Sequence, residues 1–327
     1  MHVRRGFLGW GVFLILAGAV PLLVRSGILT SDQVARVWTL WPLILVGIGV
    51  GLLLSRTRYG FLGGLIVAAT FGLMIGGLLS TGFSTISTGS CGSEAGKTAF
   101  PARDGSFNGQ SAAVTLQLNC GTLEVAAAQG NAWRVEGRDR DGAGPEIDAD
   151  DVSLQVRSRD RTDGPFTFFG QRDDWTVTLP AGPSVDLNLK LNAGSSTADL
   201  AGATIGIVDI DLNAGASTVN LSEVAAIERL EGTLNAGSLG VTLPSKSMTG
   251  SIQANAGAVK LCAPEGAGLR LRTGESIIAS YDYGGHGLVQ NGSTWTTPGF
   301  DTAAVQIDLE TRANAGSFTL NPGGGCD

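Results

Sequence analysis

From residue 111 to the C-terminus the chain alternates apolar and polar residues, and one triplet punctuates the alternation. Asn-Ala-Gly begins at Asn192, Asn213, Asn235, Asn255 and Asn314, at intervals of 21, 22, 20 and then 59. Asn119-Cys120-Gly121 is a sixth copy with cysteine in the alanine place, an interval of 73 ahead of Asn192. Ahead of each triplet the apolar side chains fall on every second position, as in Leu187, Leu189 and Leu191 or Val208, Ile210 and Leu212, with Asn188, Lys190, Asp209 and Asp211 between them. The alternation resumes after it, in Val219 and Leu221 and in Leu239, Val241 and Leu243. A period of two means strands with one buried face. A recurring unit of roughly 21 residues means stacked supersecondary pieces. Each unit therefore reads as strand, corner, strand, return turn, and residues 111–327 read as an all-β, β-solenoid-like stack. Asn and Gly both tolerate the left-handed backbone that a sharp corner needs. Equivalent Asn side chains are placed to form an amide ladder along the axis.

The two long intervals mark insertions. Gln129–Pro183 contains strand-like pieces around Trp133, Val152 and Trp175, and Glu265–Phe300 contains others around Leu269, Ile277 and Trp295. They are the most aromatic parts of this region. Two roles are open to them: covering the ends of the stack, where bare strand edges template aggregation, or binding something as exposed loops.

The segment 1–80 has a different pattern. Three apolar stretches, Gly6–Val24, Trp38–Leu54 and Tyr59–Leu79, each approach the roughly 20 residues that cross a hydrocarbon core. The expected architecture is a region of three transmembrane helices over 1–80, a Gly/Ser/Thr-rich tether over 81–110, and the β domain over 111–327. A cleavable signal peptide competes for the first stretch, since Arg4 and Arg5 precede it, but no small-residue cleavage site follows. Gly60, Gly64, Ala68, Gly72 and Gly76 recur every fourth residue, and Gly47 and Gly51 share the spacing. Small residues so placed let helices approach closely, within one chain or between copies. Arg4, Arg5, Arg56 and Arg58 put the N-terminus and the second loop in the cytoplasm. The expected location is therefore the cytoplasmic membrane, with the C-terminal domain outside it.

Charge reinforces the division. Residues 1–80 carry +5 and the remainder −12, within a chain of −7. The acidic part excludes nucleic acid, whose binding relies on Lys and Arg. Cys91, Cys120, Cys262 and Cys326 all lie beyond residue 80. They are either disulfides of an oxidising compartment or unpaired thiols, and none has the close Cys/His spacing of a zinc site. No cofactor motif is present. Asp186, Asp209, Asp211 and Glu231 share the outward parity of neighbouring units, where solvent gives no burial to raise a catalytic carboxyl. Solubility accounts for them; calcium is the other use of such oxygens, but no calcium loop is present. His286 is the single histidine after residue 80. An enzyme is not expected.

Two resemblances follow. The apolar run 11–18 and the stretch 38–49, opened by Trp38 and Trp41, resemble the LiaI/LiaF-type transmembrane region. Trp175–Pro180, Leu187–Gly194 and Val208–Gly215 resemble the toast-rack and "putative adhesin" β domains. The resemblance implies a non-enzymatic envelope protein that senses or regulates envelope stress through protein contacts, with the lipid bilayer and a membrane protein such as a sensor kinase as partners and homo-oligomers as a further assembly. The alternative is a structural or adhesive surface protein that binds glycans or other cells.

Overall fold

The computed structural model describes residues 13–15, 45–46, 48–49, 53, 66–73, 96–159, 172–274, 279–323 and 325–326. The chain divides into two compact units, Met1–Ile86 and Ser87–Asp327.

In the first unit the described residues are helical, the longest run being 66–73, where Thr70 Oγ1 donates to the Ile66 carbonyl at 2.9 Å. Ala68 and Gly72 lie one turn apart on it. Gly47, Gly51, Gly60, Gly64 and Gly76 lie outside the described residues. The expected fold class, three transmembrane helices ahead of the β domain, is corrected here. Among the described residues no helix is long and apolar enough to cross a membrane, and the chain is predominantly β. An apolar window reports a preference for burial, not a helix length. These windows are also rich in glycine, which costs about 1 kcal/mol per residue against alanine inside a helix.

Among the described residues the second unit holds eighteen strands. They are β1 Thr98–Ser106, β2 Ser111–Leu118, β3 Gly121–Ala128, β4 Ala132–Asp139, β5 Glu146–Ala149, β6 Ser153–Arg157, β7 Asp173–Pro180, β8 Ser184–Leu191 and β9 Gly194–Asp199. Then come β10 Thr204–Leu212, β11 Gly215–Asn220, β12 Ala226–Thr242, β13 Met248–Cys262, β14 Gly268–Thr273, β15 Ser280–Asp282, β16 Val289–Asn291, β17 Thr294–Thr296 and β18 Gln306–Leu320. β1 begins inside the segment expected to be a tether. Its one buried side chain over 98–106, Phe100, is too little alternation to reveal a strand.

The strands form two walls. In one, β6, β2, β8, β10 and the first halves of β12, β13 and β18 run parallel, followed by β14. In the other, β7, β3, β9, β11 and the second halves of β12, β13 and β18 run parallel, followed by β15. The walls meet at the triplets, and β12, β13 and β18 pass through the corner unbroken. Registers align equivalent residues, so Val114, Leu187, Val208 and Leu230 form one inward column and Val125, Ala198, Val219 and Val241 another. These columns are buried and form the core between the walls.

Spatial order departs from chain order at both ends. The β2–β3 rung lies between β6–β7 and β8–β9, and β18 lies between β13 and β14. The insertions at 129–183 and 265–300 thus supply the outermost rungs, and this produces the two long intervals between triplets. Antiparallel strands finish each end: β5 on β6, β4 on β7 and β1 on β4 at one, β17 on β14 and β16 on β17 at the other.

The corner has a specific steric logic. Gly121, Gly194, Gly215, Gly237 and Gly257 adopt φ between +117° and +145°. A Cβ on Gly215 would overlap the Gly194 carbonyl oxygen, and one on Gly237 would overlap that of Gly215. Glycine alone therefore permits the rung spacing. The triplet asparagines do not share the left-handed conformation; the one non-glycine residue with positive φ among those described is Asn321. Their role is carried by the side chains, each Nδ2 donating to the Oδ1 of the rung before. The distances are 2.8 Å for Asn192 to Asn119, 2.7 Å for Asn213 to Asn192 and 2.7 Å for Asn235 to Asn213. The ladder continues from Asn255 to Asn235 at 2.6 Å and from Asn314 to Asn255 at 2.8 Å.

Asn213→Leu removes two of these bonds and is expected to cost about 1–2 kcal/mol, lowering the melting temperature by about 3–6 °C. Gly215→Ala forces a Cβ against backbone at a positive φ and should cost more, about 3 kcal/mol. Thermal melts followed by circular dichroism read both, and the order of the two effects checks the assignment.

Candidate functional site

The two walls are regular, and their polar side chains are largely satisfied within the walls. On the outer face of the first, Asn188 Nδ2 donates to Asp209 Oδ2 at 2.6 Å, Lys190 lies 3.8 Å from Asp211, and Arg229 lies 3.3 Å from Glu231. This is where the carboxylates singled out from the sequence fall. Partial burial first, then the charges of Asp211 and Glu231, push the Asp209 carboxyl above its ordinary range, against the pull of Lys190 and Asn188. Among the described residues no group of three or more His, Cys, Asp or Glu side chains is arranged to hold a metal ion.

The C-terminal end is closed by aromatic side chains. Tyr281 stacks on Phe318 at 5.7 Å and approaches Tyr283 at 5.8 Å, and Tyr283 meets Trp295 edge-on at 6.1 Å. The Tyr283 hydroxyl donates to Thr311 Oγ1 at 2.9 Å, and burial drives that phenol well above the usual tyrosine range. Arg270 lies 4.0 Å over the Phe300 ring and pairs with Asp301 and Asp308. Every contact here is internal, so this end is a plug. His286 sits in the adjoining glycine-rich turn, and among the described residues no nucleophile or carboxylate is hydrogen-bonded to it.

A strap crosses the outside of the second wall. Beyond β18 the chain turns at Asn321, whose Oδ1 accepts from the Ala263 amide at 2.8 Å, and Cys326 bonds to Cys262 with Cα atoms 5.8 Å apart. The Cys326 carbonyl lies over Gly240, where any Cβ would overlap it. Cys120, at the corner between β2 and β3, is also disulfide-bonded, while Cys91 lies outside the described residues.

The N-terminal end is different: its described residues line a cleft. A cleft of about 450 Å³ is lined by Arg103, Asp104, Trp133, Pro145, Glu146, Ile147 and Arg159. β1 and β4 supply one side, and β5 with the segments flanking β5 and β6 supplies the other. Gly105 faces Trp133 across the β1–β4 ladder, and an added Cβ would lie 2.5 Å from the indole Cζ2. Glycine there lets the indole settle against the β1 backbone as the floor of the cleft. Arg103 lies opposite Val135 in the same ladder, two residues from Gly105, and so shares its side of β1. The sequence pointed to the aromatic insertion but not to this constellation, whose members come from four separate segments with no common spacing.

Comparison with known proteins gives one family match. Residues 93–244 match the model of the N-terminal domain of toast_rack, DUF2154. No curated protein matches the chain. Among solved structures, a "putative cell adhesion protein" of Clostridium sporogenes is 13% identical, with 68% of this chain and 98% of that one covered and a TM-score of 0.49. A "putative adhesin" of Bacteroides fragilis is 11% identical over 68% and 97%, with a TM-score of 0.28. Another from Parabacteroides merdae is 11% identical over 68% and 97%, with a TM-score of 0.22.

Two outcomes check the electrostatics and the strap. A carboxyl whose pKa rises on folding costs stability above that pKa, and the cost is gone below the unfolded value of about 3.9. Asp209→Asn should therefore stabilise at pH 7, with the gain fading as the pH falls towards 4 in urea titrations. Cys326→Ser opens a loop of 64 residues and should cost about 4 kcal/mol, read as a lower urea midpoint under oxidising conditions. The β domain carries a toast-rack N-terminal domain match over residues 93–244.

Proposed function

We propose that this chain is a non-enzymatic, adhesin-like protein of the cell envelope whose β domain stands outside the cytoplasm. The observation that carries the reading is the disulfide from Cys262 to Cys326, which straps the second wall in a domain where Cys120 is also oxidised. Stable disulfides belong to oxidising compartments. The toast-rack match and the acidic charge of the domain support the same placement. The apolar, arginine-flanked sequence of residues 1–80 supports association with the bilayer. The walls present rigid, self-satisfied polar faces, and among the described residues no carboxyl pair or nucleophile is poised for chemistry. The cleft at one end is the place for a ligand.

A finer reading is regulation of envelope stress by contact with a membrane partner such as a sensor kinase. It is favoured by Ala68 and Gly72, one helical turn apart, with Gly72 buried. A deletion strain with an unchanged response to cell-wall antibiotics would remove it.

Exposed Lys246 gives a direct test of the main reading. An impermeant amine reagent added to intact cells should label it before lysis, and thiol reagents should react only after reduction. Cells carrying the chain should also adhere to one another or to surfaces more than cells lacking it. Labelling only after lysis, or equal adhesion, overturns the reading.

A further inference from the structure

Position 240 holds a glycine for reasons of space. It lies within β12, and its backbone is not among those with positive φ. The outward residues level with it on neighbouring rungs are Thr197, Thr218, Lys260 and Thr319. All four are at least partly exposed, whereas Gly240 is buried. A Cβ there would overlap the Cys326 carbonyl oxygen. Glycine inside a strand commonly marks the close approach of another backbone, and here that backbone is the strap.

The strap is fixed at its two ends. At the near end the Asn321 amide donates to the Leu261 carbonyl at 2.7 Å, and Asn321 Oδ1 accepts from Ala263. At the far end Cys326 is 4% exposed and bonded to Cys262, a partly exposed residue on the outward side of β13. Between them the sequence is Pro-Gly-Gly-Gly. A Cβ on Gly323 or Gly325 would meet no atom within 4 Å, so neither glycine is pressed against the wall. The hydrogen bond from the Gly325 amide to the Pro322 carbonyl is internal to the strap. Glycine loses more conformational freedom on ordering than any other residue, so an ordered strap depends on its covalent bond.

That bond can open without disturbing the stack. Cys262 and Cys326 are 64 apart in sequence, but Asn321 already lies against β13 in the folded chain, so there the disulfide closes only the short strap. β18 stays held by β13 on one side and by β14 and β15 on the other.

We propose that the strap is a redox latch. A dithiol reductant opens Cys262–Cys326, the glycine-rich segment lifts from the second wall, and the notch at Gly240 between Thr218 and Lys260 is uncovered while the rungs stay paired. A thiolate of the reductant attacks one sulfur, and the other cysteine leaves as a thiolate. The reductant's second thiol then displaces the first cysteine from the mixed disulfide. Two electrons pass from the dithiol, which leaves as a disulfide, and its two protons end on the two cysteines. The latch goes beyond the envelope reading and does not rest on it.

The test is maleimide labelling of the purified full-length chain without denaturant, each cysteine being read by peptide mass spectrometry. After dithiothreitol, Cys326 should label within about tenfold of its rate in urea. In Cys262→Ser, where Cys120 keeps its disulfide, Cys326 should label as fast with no reductant, and the circular dichroism of the β domain should be retained. Gly240→Thr sets a Cβ against the latched carbonyl alone. It should shift the dithiothreitol midpoint of Cys262–Cys326 about tenfold towards reduction without lowering the melting temperature of the reduced chain. Protection of Cys326 beyond that labelling limit in Cys262→Ser, loss of its β spectrum, or a midpoint that Gly240→Thr does not move overturns the proposal.

Discussion

The fold depends on how closely one rung can lie on the next at the corner. Neighbouring strands in any sheet sit about 4.8 Å apart, but at the corner the backbone also changes direction. There Gly215 and Gly237 bring their α-carbons against the carbonyl oxygens of Gly194 and Gly215, where a side chain would overlap. Once this spacing is set, the preceding asparagines come within reach of one another and close the amide ladder from Asn119 to Asn314. The alternation then does the rest. Leu212 lies on Leu234 as Leu191 lies on Leu212, so a one-residue slip in any strand would turn a row of aliphatic side chains to solvent.

A stack of this kind has two weak points, its ends, and the chain deals with both. At the N-terminal end it lays down β2–β3, runs outward to build the terminal rung β6–β7 and returns to β8–β9 on the other side; at the C-terminal end it builds the terminal rung from β14 and β15 and then inserts β18 behind it. The enclosed rungs, β2–β3 and β18, have neighbours far away in sequence on at least one side, so placing them closes long loops at an entropic cost. A cysteine in or just beyond each enclosed rung, Cys120 in one and Cys326 in the other, is oxidised. The cross-links therefore fall where the topology is least local. Short antiparallel strands, Pro101 and the cleft-lining charge of Arg103 then leave little edge for another chain to extend.

Much of the β architecture is visible in the primary structure because it comes from repetition. The triplets give the corners, and the parity of residues such as Val208, Ile210 and Leu212 gives the buried face. What the sequence conceals comes from places where repetition fails. The long gaps from Asn119 to Asn192 and from Asn255 to Asn314 mark insertions but do not show that each insertion becomes an outer rung. The conformational burden of the triplet lies on glycine alone, which composition does not separate from asparagine. Long apolar windows before residue 80 suggested spanning helices, yet hydropathy does not measure helix length. Arg103, Trp133, Glu146 and Arg159 share a cleft only because β1, β4, β5 and the end of β6 converge, and no spacing along the chain encodes that.

The same contrast bears on where recognition can occur. Along the walls each rung repeats its neighbour, so a side chain meets near-copies of its own surroundings and tends to bond to them, as Asn188 Nδ2 does to Asp209 and Asn213 Nδ2 to Asn192. A repeating face offers many equivalent weak contacts and no unique arrangement of charges. Only an end interrupts the pattern enough to assemble different residue types around one point. The C-terminal end spends that freedom on a plug, with Tyr281, Tyr283 and Trp295 packed inward. At the N-terminal end the described residues of four segments line a cleft, among them Arg103, Trp133, Ile147 and Arg159. The two ends therefore differ from each other as well as from the repeating walls between them: one is packed with aromatic side chains, and the other has a cleft lined by residues of four segments.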